Sequence, residues 1–227
     1  MNYFITSTDT NAGKTYATAL LTRSLRKAGW NTVAMKPLSC GGLDDSETLR
    51  AAADNELSLE EVTPVSYKAA LGPLDAAPLE GKQFSCEEII PTFQHLRKKY
   101  SSLLVEGIGG WLVPLSPKES LPDLVQAMGL PVLLVVRNRL GALNHTLLTL
   151  ESIQHHGMTC DGILLNHHPE DQDDLAIEGN RRFLQKLAIK LQLPFFLEIY
   201  PKQVTIDVSQ FIQTKPSPLF QSSRSED

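Results

Sequence analysis

Ser7-Thr8-Asp9-Thr10-Asn11-Ala12-Gly13-Lys14-Thr15 follows a short apolar run, Tyr3 to Thr6. It opens a segment, Lys14 to Ala28, whose Ala17, Leu20, Leu21 and Leu25 recur at helical spacing, with Gly29 as its stop. A strand, a tight loop carrying Gly-Lys-Thr and a helix are the parts of a phosphate-binding loop. Backbone N–H groups and the positive end of the helix point at the anion, and Gly13 lets the backbone approach closely. Lys14 is placed to bridge β- and γ-phosphates, and the Thr15 hydroxyl to ligate Mg²⁺. Thr8 stands where the common pattern has its first glycine. The competing reading is an ordinary helix start capped by a polar loop.

Outward from this loop the chain alternates strands and helices. Asn31 to Lys36 reads as a strand ended by Pro37, and Ser46 to Ala53 as a short helix capped from Asp44 or Asp45. Glu56 to Phe84, with Pro64, Gly72, Pro73, Pro78 and Gly81, reads mostly as loop with short helical pieces. Helices are expected at Cys86 to Lys99, Leu121 to Met128, Asn144 to His156 and Asp174 to Leu191. Strands are expected at Leu103 to Glu106, Pro131 to Arg137, Gly162 to Asn166 and Phe195 to Ile199. Unbroken apolar runs such as Val132-Leu133-Leu134-Val135-Val136 belong to strands buried on both faces. The reading is therefore an α/β fold of the P-loop NTPase type, with a doubly wound, mostly parallel sheet flanked by helices. One domain is expected over residues 1–214, and 215–227, rich in Ser and charge, is expected to fray.

Composition narrows the function. The chain has 227 residues, 42% of them hydrophobic, which suits one domain with a sizeable core. A net charge of -5 and no long basic run argue against nucleic acid as a partner. No stretch has the roughly 18 consecutive apolar residues a membrane helix needs. The three cysteines, Cys40, Cys86 and Cys160, are odd in number and widely spaced, so a disulfide framework or zinc site is not expected and a cytoplasmic location is.

Four ordered motifs resemble those of the dethiobiotin synthetase family. They are Thr8-Asp9-Thr10 with Gly13-Lys14-Thr15; Lys36-Pro37 after the second strand; Val105-Glu106-Gly107-Ile108-Gly109-Gly110; and Leu140-Gly141-Ala142-Leu143-Asn144-His145. The resemblance implies an ATP- and Mg²⁺-dependent ring closure of 7,8-diaminopelargonate with CO₂. It assigns Lys14, Lys36 and Thr10 to catalysis, and Asp9 through Thr15, including Asn11 and Ala12, to nucleotide binding. Asn166, ending the strand Gly162 to Leu165, is assigned to adenine, whose edge an amide can match. Mg²⁺ falls to Thr15, Asp45 and Glu106, and substrate to Lys36, Cys40, Gly109, Gly141 and Asn144. A homodimer is implied, with the helix start at Gly141 to Asn144 reaching into the neighbour's site.

Each assignment has a plainer competitor. Glu106 ends a buried apolar strand, where a carboxylate needs a cation, yet it could be a loop or cap carboxylate. Asp45 could be a helix cap, Lys36 a solvated strand end, and Asn144 the cap of its own helix. His167 and His168 read as loop residues rather than metal ligands. Three positions depart from the family pattern: Ser7 replaces a glycine, which raises the expectation of a strained or differently closed loop; Asn11 replaces Glu of some members; Cys40 replaces Ser of some. The rival readings are a partitioning-type switch ATPase, which carries an extra loop lysine absent between Ser7 and Gly13, and a cobyrinate-type amide synthetase, whose added glutaminase domain 227 residues hardly accommodate.

Overall fold

A computed structural model describes residues 1–213. The expectation of a frayed 215–227 lies outside these residues. In chain order the elements are β1 (Asn2–Ser7), α1 (Lys14–Lys27), β2 (Thr32–Met35), β3 (Leu38–Cys40), α2 (Asp44–Ala52), α3 (Leu59–Val62), β4 (Val65–Tyr67) and α4 (Pro73–Leu79). Then come α5 (Ile90–Lys99), β5 (Ser102–Glu106), α6 (Leu121–Met128), β6 (Val132–Arg137), α7 (Ala142–His155), β7 (Cys160–Asn166), α8 (Ile177–Lys190), β8 (Phe195–Ile199) and α9 (Ser209–Gln213).

Among the described residues, six strands form one sheet in the order β2-β5-β1-β6-β7-β8, every pair parallel. Parallel neighbours need crossovers, and the intervening helices supply them. The period-2 pleat sorts side chains into two cores. Leu133, Val135 and Leu164 join a large cluster with Leu20, Leu21, Leu25 and Phe195. Their alternates Leu134, Val136, Ile163 and Leu165 pack with Ala142 and Leu184 of α7 and α8. The apolar β6 run is thus buried from both sides, as a sheet covered on both faces requires.

Register decides where function sits. Ile5 pairs with Glu106, Ser7 with Val135, and Arg137 with Asn166. The polar residues that end β1, β5, β6 and β7 therefore share one edge, the carboxyl edge where α/β sheets bind ligands.

Several boundaries differ from the sequence reading. Residues 56–84 contain β4, which pairs with β3 as a separate two-stranded parallel sheet; each strand has three residues, too few to show a period. The Cys86 to Lys99 segment breaks into a 3₁₀ turn at Cys86–Glu88 and then α5, which starts at Ile90-Pro91. α8 begins at Ile177, after a 3₁₀ turn at Pro169–Asp171. α2 begins at Asp44 with Leu43 at its cap position and no capping side chain. Asp44 and Asp45 are thus first-turn residues, where a carboxylate still suits the helix dipole. α7 begins two residues before Asn144, behind a left-handed Gly141. Neither Asp45 nor Asn144 is a helix cap.

Gly162 sits in β7 with Phe195 of β8 across from it. A Cβ on Gly162 would lie 2.6 Å from the Phe195 Cβ and 3.0 Å from its carbonyl oxygen. Overpacking of this kind costs about 2 kcal/mol. Gly162→Ala is expected to lower Tm by about 4–8 °C, since a domain of this size loses roughly 2–4 °C per kcal/mol. A thermal melt with an unchanged midpoint would show that β8 yields freely.

Candidate active site at the carboxyl edge of the sheet

The loop between β1 and α1 has its strain away from Ser7. Ser7 is the last residue of β1 and its φ is not positive; the left-handed positions are Asn11 (φ 55°) and Gly13 (φ 90°). The positive φ angles of the loop thus lie at positions 11 and 13 and not at Ser7 itself: asparagine tolerates the left-handed turn at position 11, and glycine is required at 13 for a second reason as well. A Cβ on Gly13 would stand 2.2 Å from Asn166 Nδ2. Gly13 is the cap residue of α1, and no side chain caps that helix. Its first N–H groups are left for a ligand, which counts against the plain capped-helix reading.

Asp9 is half exposed and does not line the cavity: its carboxylate accepts from the Thr10 N–H at 2.7 Å and faces Arg139 at 3.6 Å. Asn166 is buried, and its Nδ2 donates to the Ala12 carbonyl at 2.9 Å. Its amide donor thus braces the phosphate loop from behind.

A cavity of about 510 Å³ opens in front of the loop. Thr10, Asn11, Gly13, Lys14 and Thr15 line one side. Lys36, Cys40, Asp45, Glu106 and Gly109 line the other, and all ten were expected from the sequence. Glu106 is 0% exposed, and its Oε1 accepts from the Lys36 Nζ at 2.8 Å and the Thr15 hydroxyl at 2.9 Å. Lys36, 4% exposed, also meets Asp45 at 2.9 Å. Neither Glu106 nor Lys36 is a solvated loop or strand-end charge.

Burial works against the Lys36 charge, but Glu106 and Asp45 outweigh it and hold its pKa above the usual lysine value. Burial likewise opposes the Asp45 charge, and Lys36 outweighs it to hold that carboxyl low. Lys14, buried with less compensation, is pulled down to about 8, Glu106 opposing the shift. Burial, aided by Glu80, pushes the Cys40 thiol up to about 11, so it lines the cavity as a neutral group.

Glu106 Oε2 is buried without a hydrogen-bond partner. With the Thr15 hydroxyl and Asp45 it makes a set of hard oxygen donors that fits Mg²⁺. Among the described residues no cluster of three His, Cys, Asp or Glu suits a metal; a hydroxyl and two carboxylates leave the remaining positions to phosphate and water.

Ser39, Ile108, Arg137, His168 and Glu170 also line the cavity and were not singled out from the sequence. Arg137 carried a readable signal, being a charge that ends a buried strand as Lys36 does. It pairs with Asp171 and with Glu170 at 2.9 Å. His167 stays outside, bonded to Glu198 at 3.1 Å and stacked on Tyr200 at 4.4 Å. Gly141 and Asn144 do not line the cavity either; both are exposed at the start of α7.

Comparison with known proteins agrees with this geometry. A family model described as an AAA domain matches residues 1–199. The chain is 40% identical over 187 residues to an ATP-dependent dethiobiotin synthetase BioD of Akkermansia muciniphila, covering 82% of this chain and 87% of that one. It is 41% identical over 181 residues to the protein of that name from Anaeromyxobacter dehalogenans, with 78% and 81% covered. For Thermodesulfovibrio yellowstonii the values are 39% over 201 residues, 82% and 84%. Among solved structures, FtsY from Mycoplasma mycoides superposes with a TM-score of 0.52 at 17% identity, covering 93% of this chain and 66% of that one. The MinC:MinD cell division complex of Aquifex aeolicus gives 0.51 at 14%, covering 89% and 83%. These two establish a shared P-loop fold and nothing finer. With a phosphate loop, a buried lysine–glutamate pair and relatives of this similarity along most of its length, the chain belongs to the dethiobiotin synthetase family of ATP-dependent enzymes.

Proposed function

We propose that this chain catalyses the Mg²⁺- and ATP-dependent closure of a ureido ring on 7,8-diaminopelargonate with CO₂, a step of biotin biosynthesis. The observation that carries the reading is one cavity holding the phosphate loop, the Lys36–Glu106 pair and the Thr15 hydroxyl. In this reading an amine takes up CO₂ and loses a proton to give a carbamate. A carbamate oxygen attacks the γ-phosphorus and ADP leaves. The second amine then attacks the carbamoyl carbon, and phosphate leaves as the ring closes. Lys36, kept charged by two carboxylates, stabilises the negative charge that develops on the carbamate and the phosphoryl oxygens. Lys14 and the free N–H groups of α1 orient the β- and γ-phosphates, and Thr10 closes the cavity wall beside them. Mg²⁺, held by Thr15, Asp45 and Glu106, would neutralise phosphate charge when bound. Asn166 serves adenine in the reading carried over from the family, beside its bond to Ala12. A cytoplasmic setting agrees with three free cysteines and with the lack, among the described residues, of a helix long and apolar enough to cross a membrane.

We further infer a homodimer. Leu140, Leu147 and Leu148 are exposed at the start and along one side of α7, Leu140 by 79%. An apolar patch of this kind beside a helix N-terminus fits a second copy of the chain, with Gly141 and Asn144 offering N–H and amide donors to the substrate carboxylate of the neighbour. The deciding assay mixes the protein with diaminopelargonate, bicarbonate, Mg²⁺ and ATP and looks for dethiobiotin by mass spectrometry; no product from folded protein ends the proposal.

Lys14→Ala is expected to reduce turnover by on the order of 3 kcal/mol of transition-state stabilisation or more. Near-normal turnover in a folded variant would remove the loop from the chemistry. Glu106→Gln is expected to raise the Mg²⁺ concentration for half-maximal turnover by about tenfold, with a smaller effect on the thermal midpoint because Lys36 retains Asp45 as partner. An unchanged Mg²⁺ titration takes Glu106 out of the metal site. Mixing inactive Lys14→Ala with inactive Asn144→Asp should restore part of the activity, because one site of each mixed dimer then carries neither lesion. A monomer by sedimentation, or no recovery after demonstrated subunit exchange, defeats the shared site.

A further inference from the structure

Ser7 lies fully buried beneath the phosphate loop, and its hydroxyl has three partners. Oγ shares its proton between the Asp9 carbonyl at 2.6 Å and the Gly109 carbonyl at 3.2 Å, and accepts from Lys14 Nζ at 3.0 Å. Lys14 Nζ also donates to the Gly109 carbonyl at 2.7 Å. Gly13, Lys14 and Gly109 line the cavity, whereas Ser7 does not. Its oxygen therefore holds the ammonium from the rear, on the side away from the space where phosphates dock. The glycine that the family pattern has at this position offers no such acceptor.

We propose that Ser7 is a positioning residue that retracts the Lys14 ammonium in the nucleotide-free protein, so that a nucleoside polyphosphate must compete with the Ser7 hydroxyl for it. The inference rests on reading the loop as the ATP site. Lys14 has a flexible four-carbon stem and a compact charge, and it can exchange one acceptor for another by rotation. A ligand that needs the minor, extended conformer binds with its intrinsic affinity divided by that conformer's population. The reduction applies only to ligands that reach Lys14. That lysine serves β- and γ-phosphates, so ADP and ATP are weakened and AMP is not.

The experiment is calorimetric titration of ADP, ATP and AMP into the full-length wild type and into Ser7→Ala, with Ser7→Gly as a second variant should the alanine protein not fold. Removing a hydrogen bond to a charged group is expected to tighten ADP and ATP about tenfold and leave AMP unmoved. Ser7→Thr, which keeps a hydroxyl, should retain the wild-type affinities. In a Lys14→Met background, Ser7→Ala should have no effect on ADP, since the coupling then has no partner. Unchanged or weaker ADP binding in Ser7→Ala overturns the proposal. So does an equal shift for AMP, because that is the mark of a changed loop shape acting through the Asp9 carbonyl. Wild-type protein that binds neither ADP nor ATP overturns instead the reading of the loop as a nucleotide site.

Discussion

A carboxylate without solvent ends the strand beside the phosphate loop, and the Lys36 ammonium at 2.8 Å makes that placement tolerable. An isolated buried charge is expelled or neutralised; a paired one stays if its other contacts are good. Here the Thr15 hydroxyl gives Glu106 a second donor, so the pair also fixes the first turn of α1 against the end of β5. Lys36 reaches inward because its strand stops at Met35 and the chain turns at Pro37 into the small β3–β4 sheet. That sheet has two sides: Ser39 and Cys40 of β3 line the cavity, while Leu38, Val65 and Tyr67 pack into the main core.

The same logic organises the opposite side of the loop. β1 is flanked by β5 and β6, so the loop emerges at the middle of the sheet. Asn166, one strand further, reaches across to Ala12, occupying the space that any side chain at position 13 would need. Tyr16, in the first turn of α1, donates its hydroxyl to the carbonyls of Tyr200 and Gln203 at 2.9 and 3.0 Å. The loop after β8 is thereby tied to the helix whose N-terminus faces the phosphates.

Much of this was legible in the residues. Apolar runs marked the buried strands, and Gly-Lys-Thr between a strand and a helix marked the loop. Glu106 and Lys36 were legible for the opposite reason: a charge at the end of an apolar strand demands a partner. What stayed hidden was set by tertiary context. Strands of three residues carry no readable period, so β4 vanished into a loop rich in Pro and Gly and β3, just after Pro37, went unassigned. The starts of α2 and α7 moved because acidic and amide residues suit both a cap and a first turn. Ser7 could be seen as a departure from a pattern, but not as a partner of Lys14, since seven positions of sequence separation say nothing about two atoms 3.0 Å apart. Arg137 went unremarked although it ends β6 as Lys36 follows β2.

The lining of the cavity has a consequence for how ligands arrive. Among the described residues, Lys14, Lys36 and Arg137 face it, and so do Asp45, Glu106 and Glu170. Opposite charges in equal number cancel beyond a few ångströms, so the mouth projects little field into solvent, and the chain as a whole carries a net charge of -5. The mouth thus lacks the positive field by which proteins draw in polyanions, and the net charge of -5 opposes their approach until salt screens it. Nucleotide capture then rests on short-range contact with oriented N–H groups, and salt is not expected to slow the encounter.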